Sequence, residues 1–238
     1  MATKTPQARR GLARWLTDWA KSIAWALAIW LVLSTFVFRA FRITSGSMEN
    51  TLLVDDWLFV TKALYGAEIP FTGRHTPALR EPRRGEIVVF KSVEGNFDVV
   101  KRLVGVPGDT LAMRHGRLVR NGALQVEPYV VRQDSTRSET VEERDRMRRW
   151  QVHHLVGDTA GYRPDVQDWG PLVVPADSFF MMGDNRDNSL DSRYWGLVPR
   201  GNVRGKPMFV YYSYDGSSWR ALPALTAIRW NHLFSRPQ

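Results

Sequence analysis

Asp98-Val-Val-Lys-Arg-Leu-Val-Gly-Val106 decides how the chain is read. Val and Leu dominate the run, and two basic residues sit at its centre. In a strand, Lys101 shares one face with Val99 and Leu103, while Arg102 shares the other with Val100 and Val104. Similar short β-type runs lie on both sides: Trp57–Val60, Glu86–Phe90, Ser178–Met182 and Lys206–Tyr212. Arg117–Val126 reads as a hairpin turning on Asn121-Gly122. Pro and Gly punctuate throughout, and no helical period of any length appears after residue 40. The expected fold is mainly β, sandwich or barrel-like.

The first 40 residues are different. Lys4, Arg9, Arg10, Arg14 and Lys21 stand against Asp18 alone, and then Ser22 to Phe38 carries no charge. That run is the short end of what spans a bilayer, with Trp19, Trp25 and Trp30 among its interfacial anchors. A core helix would show polar positions at a 3.6-residue period, and this run shows almost none. A cleaved leader should end in a small-x-small site, whereas Phe36-Val-Phe-Arg39 follows here. A single transmembrane helix over 22–39 is therefore expected. The basic flank places 1–21 in the cytoplasm and 40–238 on the far side.

At 238 residues the chain suffices for one sizeable domain or two small ones. Hydrophobic residues make up 44% and charged residues 24%, as in ordinary globular proteins. The net charge of +9 comes from 27 Arg and six Lys, dispersed along the chain. With no RNA-type aromatic motif, this argues against a nucleic-acid partner. There is no cysteine, so no disulfide and no Cys-ligated zinc. Pro70–Arg84 and Gln133–Arg149 look like insertions. The second ends in the charge run Glu142-Glu-Arg-Asp-Arg-Met-Arg-Arg149, read as a solvated loop or small subdomain. The tail, 221–238, either lies on a membrane surface or closes the sheet.

Three stretches offer chemistry. Ile43-Thr-Ser-Gly-Ser-Met-Glu-Asn-Thr-Leu52 carries two hydroxyls, Ser45 and Ser47, around a glycine. Such a turn can expose a nucleophile beside a free N–H, although it also reads as a plain turn. The histidines, at 75, 115, 153, 154 and 232, stand in no suggestive context, which leaves a Ser–His–Asp arrangement open but unsupported. A lysine can serve as base only when neutral, so its pKa must be lowered by burial. Lys101, with apolar same-face neighbours, is the candidate; the alternative is a lysine snorkelling from an edge strand. The third stretch is Met182-Gly-Asp-Asn-Arg-Asp-Asn-Ser-Leu-Asp-Ser-Arg-Tyr-Trp-Gly196. Gly183 allows close backbone approach, and Ser189 can bond a buried amine. Asp191 can pair with Arg193, and Asp184 with Arg102. The stretch lacks EF-hand spacing, so calcium is not expected, nor is any other metal or cofactor.

These stretches together resemble the bacterial type I signal peptidase (leader peptidase) family. The matching segments, in order, are the apolar run followed by Ser45–Met48 and Thr51-Leu52; Asp55–Lys62; Arg84–Phe90 leading into Val100–Asp109; and Gly183–Gly196. Asn50 and Thr44 depart from the family, which commonly has proline at both places. The single anchor is a third departure, since some members have two. The resemblance implies a membrane-bound Ser/Lys endopeptidase that removes signal peptides from exported preproteins. It would sit in the bacterial inner membrane, with its catalytic domain on the periplasmic side and near the secretion translocon. Ser47 would be the nucleophile and Lys101 the base. Ser45 and the Ser47 N–H would form the oxyanion hole, and Ser189 would orient the amine. Asp184, Arg102, Asp191, Arg193 and Gly183 would be supporting residues. Ile43, Leu52 and Val100 would line shallow pockets for small residues one and three before the cut. The implied domain is an antiparallel β core over 40–109 and 176–220, with an inserted β subdomain over 110–175. Other readings are a narrower pilus-assembly or conjugation peptidase, or a catalytically silent, membrane-anchored domain that only binds peptides.

Overall fold

The computed structural model describes residues 6–238 apart from 33, 35–37, 67, 68, 70, 71, 73, 75 and 133–138, with side chains from residue 15 onward except at Val32. In chain order the elements begin with α1 (Pro6–Val32), β1 (Phe38–Arg42), β2 (Asp56–Thr61), β3 (Ile87–Lys91), β4 (Asp98–Gly105) and β5 (Thr110–Arg114). They continue with β6 (Arg117–Arg120), β7 (Ala123–Leu124), α2 (Val141–Gln151), β8 (Trp169–Val173), β9 (Ser178–Met182) and α3 (Ser192–Trp195). Last come β10 (Val198–Pro199), β11 (Val203–Ser213) and α4 (Pro223–Thr226). The strands form two sheets, β1-β2-β11-β3-β4-β9-β10 and β7-β6-β5-β8. The pairings within them are antiparallel.

β3 explains why the larger sheet is stable. Its alternate residues feed two separate apolar clusters. Val88 and Phe90 join Leu103, Met181 and Val203 on one face. Ile87 and Val89 join Leu58, Val60, Val100 and Val210 on the other. Each such fully buried side chain contributes about 1.5–3 kcal/mol of transfer free energy. The smaller sheet shares a third cluster, in which Leu111, Met113, Trp169 and Leu172 pack against Phe180 and Met182 of β9. The Asn121-Gly122 hairpin forms as expected. Both residues take positive φ (53° and 79°), and Arg120 pairs with Ala123. β1, β5 and β8 were not anticipated. The interior Gly170-Pro171 of β8 weakened its strand signal.

Two expectations are corrected. Of the two readings of the charged run 142–149, a solvated loop or a small subdomain, the loop does not hold. The run forms α2, with Thr140 and Glu143 making a reciprocal capping box and Glu142, Glu143, Arg148 and Arg149 placed to favour the helix dipole. Met147 and Gln151 are buried on its inner face. The apolar residues available to mark a helical period were too few for the pattern to show in sequence. The second concerns the bounds of the expected 22–39 helix, of which residues 33 and 35–37 lie outside the described residues. α1 begins far before residue 22, so Lys21, Asp18 and the arginines lie inside the helix, and Phe38 and Arg39 of the expected span belong to β1. Its uncharged part, Ser22–Val32, is about 16 Å long at roughly 1.5 Å per residue. Among the described residues no helix is long and apolar enough to cross a membrane.

The tail folds back beside β11. Phe234 N–H donates to Val210 O (2.7 Å), Val210 N–H to Ser235 O (3.0 Å) and Arg229 N–H to Ser213 O (2.9 Å). His232 is bonded to Asp56 (2.8 Å).

Thr140→Ala should remove the α2 cap and lower stability by about 1 kcal/mol. Urea unfolding followed by circular dichroism checks this; an unchanged midpoint would contradict the capping assignment.

Candidate active site

Ser47 sits in a one-turn 3-10 helix, Gly46–Met48, that follows the last bond of β1. Ile43 N–H donates to Asp56 O (2.8 Å) and Asp55 N–H to Ile43 O (2.9 Å), fixing the point where the chain leaves the sheet. Met48 and Leu52 then plug the turn into the cluster around Leu58. As the second residue of so short a helix, Ser47 has no carbonyl within it to accept from its N–H. Ser45 Oγ lies 3.3 Å from Ser47 Oγ.

Lys101 is in the middle of β4, 3% exposed. Its Nζ donates a short hydrogen bond to Ser47 Oγ. Burial lowers the lysine pKa from 10.5 to about 8, and the nearby Arg193 charge pushes the same way. Asp191 and Asp184 oppose the shift without cancelling it. An amine that loses its proton this readily, held on a serine hydroxyl, is a base–nucleophile pair. Among the described residues no histidine bonds Ser47. His232 is occupied by Asp56, and His115 faces Asp168 at 3.7 Å.

The 183–196 stretch holds both groups in place. Gly183 stands so close to the turn that a Cβ there would lie 2.4 Å from Ser47 O and 2.3 Å from Ser189 Oγ. Because Ser47 O is a backbone atom, a side chain at 183 would displace the serine itself. Asp191 accepts from Gly183 N–H (3.1 Å) and takes a two-pronged contact from Arg193 Nε and Nη2, 2.9 Å each. Burial pushes the Asp191 carboxyl up, but Arg193, with Lys101 beyond it, holds it below its ordinary value. Arg102, also buried, forks onto Asp184 (2.7 and 2.6 Å), and Thr51 Oγ1 donates to the same carboxylate (2.6 Å). Both expected ion pairs are therefore present. Ser189, expected to orient the amine, is buried beside Gly183, and its Oγ makes no hydrogen bond to Lys101 in this arrangement.

Several contributors were not singled out from sequence. Asn185 N–H donates to Ser47 O (3.2 Å), and its side-chain amide reaches Gly46 O (3.3 Å). Tyr129 stacks on the Arg102 guanidinium, 3.8 Å from ring centroid to Cζ. Only Asn185 lay in a stretch already marked as unusual; Tyr129 had no signal.

A cleft of about 420 Å³ runs past Ser47 and Lys101. Ile43 and Val100 form part of its wall, joined by Phe97, Leu190 and Trp195. Leu52 is not in that wall; it is wholly buried beneath, in the same cluster as Ile43. β4 pairs with β3 from Asp98 onward, but β9 joins its other edge only at Arg102. Asp98–Lys101 therefore offers backbone hydrogen-bonding groups to an added extended chain.

The lowered Lys101 pKa has a consequence for stability. Below pH 8 the folded state must hold a buried ammonium, which costs on the order of 3 kcal/mol relative to an unshifted lysine. Between about pH 8 and 10.5 the unfolded chain binds the proton and the folded chain does not, so stability rises with pH. The difference in unfolding free energy between wild type and Lys101→Met should shrink across that window. A pH-independent difference in urea titrations would contradict the burial account.

The chain is similar to known proteins over most of its length. A family model described as signal peptidase, peptidase S26, matches residues 16–212. Signal peptidase I of Pseudomonas aeruginosa is 36% identical over 228 residues, covering 90% of this chain and 78% of that protein. Signal peptidase I of Leptolyngbya laminosa is 33% identical, covering 83% and 80%. Signal peptidase I P of Bacillus subtilis subsp. natto is 31% identical, covering 84% and 90%. With the family match running from within α1 into β11, and relatives above 30% identity over most of both chains, this chain belongs to the signal peptidase, peptidase S26, family.

Proposed function

We propose that the protein cleaves signal peptides from preproteins with Ser47 as nucleophile and neutral Lys101 as general base. The observation that carries the reading is the buried Lys101 amine, with its lowered pKa, bonded to Ser47 Oγ. Lys101 takes the Ser47 proton as Oγ attacks the scissile carbonyl. The resulting ammonium gives that proton to the departing amine, and the free amine then activates water to release the acyl group. Ser45 Oγ, 3.3 Å from the attacking oxygen, and the Ser47 N–H stabilise the oxyanion. Arg102–Asp184 and Arg193–Asp191 hold the strand and turn at their working separation. Ser189, buried beside Gly183, orients the amine. Such a pair of functional groups has little reason to exist in a silent peptide-binding domain.

The substrate lies as an extended strand on the free edge of Asp98–Lys101. Ile43 and Val100 leave shallow room, so the residues one and three before the cut are small. Replacing either Ala in a test preprotein by Phe or Arg should abolish processing; equal cleavage would contradict the pocket assignment.

The family is membrane-associated, and we place α1 with the uncharged residues after it as a single bilayer anchor. Trp15, Trp19, Trp25 and Trp30 are all exposed on a helix that leaves its apolar surface unburied. Trp219, Leu222, Leu225, Trp230 and Phe234 add an exposed apolar edge along the tail, suited to the bilayer surface. The basic residues of 1–21 would stay in the cytoplasm and the catalytic domain would face outward, near the translocon of a bacterial inner membrane. Protease added to spheroplasts should cut at 133–149 and spare 1–21. The reverse pattern would show that the orientation is wrong.

Ser47→Ala and Lys101→Arg should each lose nearly all cleavage, because arginine stays charged. Ser189→Ala should be milder. Below pH 8 the rate should fall about tenfold per pH unit as Lys101 is protonated, and it should level off above. Substantial activity in Lys101→Arg would sink the Ser/Lys assignment.

A further inference from the structure

Strand pairing carries the inner face of the larger sheet past its apolar level into a charged one. Phe41 pairs with Leu58 and Arg39 with Val60, so Arg39 lies on the face of the Leu58 and Val60 cluster. Val100 pairs with Val89 and Asp98 with Lys91, which puts Asp98 and Lys91 on that same face. Phe41, Val89 and Val100 make one level; Arg39, Lys91 and Asp98 make the next, further from Lys101 along β4. At this second level Arg39 Nη1 of β1 donates to Asp98 Oδ2 of β4 (2.8 Å). β2, β11 and β3 lie between those strands in the sheet, so the sheet curls until its β1 edge faces β4.

A cavity of about 560 Å³ lies at this level. It shares Phe41, Phe97 and Asp98 with the cleft that holds Ser47 and Lys101, so the two adjoin. Among the described residues lining it, four are basic (Arg39, Lys62, Lys91 and Arg204) and Asp98 is the single carboxylate. Arg39 already engages that carboxylate. Lys62 Nζ donates to a neutral acceptor, Ser34 O (3.1 Å). The lining therefore carries a positive excess, and in a concave space such an excess acts more strongly than on an open surface.

We infer that this charged level is a subsite for the substrate side chain five residues before the cut, and that it selects acidic over basic side chains there. The inference rests on the Ser47/Lys101 peptidase reading, with Ile43 and Val100 receiving residues one and three. β9 takes the β4 edge from Arg102 onward, so the added strand lies along Asp98–Lys101. With the cut at Lys101, the chain before it runs back past Val100 to Asp98. Alternate side chains share a face and stand about 6–7 Å apart along a strand. Residue five therefore follows residue three on the Val100 face and stands level with Asp98 and Arg39. A Glu there meets the Arg39 guanidinium with Lys91 beyond it. A Lys there meets the same cations and a carboxylate that Arg39 already holds. Residues four and six point to the opposite face.

The test uses the full chain in detergent micelles at about 0.15 M salt, where charges are screened over about 8 Å. The preproteins are identical except for Ala, Glu or Lys at position five, or at position four, before the cut. The readout is the Glu/Lys ratio of kcat/KM values within each enzyme, which a general loss of fold or catalysis would not move. Wild type should favour Glu over Lys at position five by about three- to tenfold, the scale of one or two partly exposed charge contacts. Lys91→Gln and Arg39→Gln should each lower that ratio by about two- to fivefold, and Asp98→Asn should raise it by a similar factor. The ratio at position four should move little in all three. A position-five ratio that stays put in both Lys91→Gln and Arg39→Gln, with the Ala preprotein still cleaved, would overturn the inference. Equal shifts at positions four and five would overturn it too, because they would report a long-range field and not a subsite. Failure of wild type to cleave the Ala preprotein would instead overturn the peptidase reading beneath it.

Discussion

Keeping the Lys101 amine out of water is the constraint from which the rest of the structure follows. A lysine in solution holds its proton far too tightly to act as a base near neutral pH. Here the amine is brought to a pKa of about 8 by burial in the centre of β4, assisted by Arg193. Burial of that kind is available only where strands on one side and a close-packed turn on the other exclude solvent. β3 supplies the strand, the Ser47 turn supplies the cover, and the 183–196 stretch ties the two together. Removing any one would let water back to the amine and raise its pKa.

The supporting charges show how narrow the balance is. Asp191 and Asp184 both favour the ammonium form of Lys101, yet each is engaged by its own arginine. The forked contacts Arg193–Asp191 and Arg102–Asp184 direct those carboxylates away from the amine and satisfy them. Gly183 completes the arrangement by absence of a side chain: nothing larger fits between Ser47 O and Ser189. The same stretch thus sets the electrostatics and the distance between the reacting atoms.

The inserted segment is coupled to this machinery and is not an appendage. α2 is capped independently, then fixed to α3 by Trp150 and Gln151, and its Arg146 reaches the cleft wall at Glu94. An element with little apolar content is held by a few directed bonds because its buried face, Met147 and Gln151, is narrow.

The sequence alone determined that the body of the chain is β, where several strands run, that Asn121-Gly122 turns a hairpin, and which stretches carry Ser47, Lys101 and the two ion pairs. Those features are local: alternation, turn residues and spacing record them directly. The α2 helix escaped because its charges masked a small apolar face, and β8 escaped because of its Gly-Pro. The placement of Leu52 beneath the cleft, the burial of Ser189 beside Gly183, the Asn185 bonds to the Ser47 turn and the Tyr129 stack on Arg102 were decided only by tertiary structure. Each depends on residues far apart in the chain meeting at a fixed distance, and no periodicity encodes that. The lowered pKa of Lys101 belongs to the same class. Apolar neighbours in β4 make desolvation possible, but only the packed turn of Ser47 and the charge of Arg193 decide how far it goes.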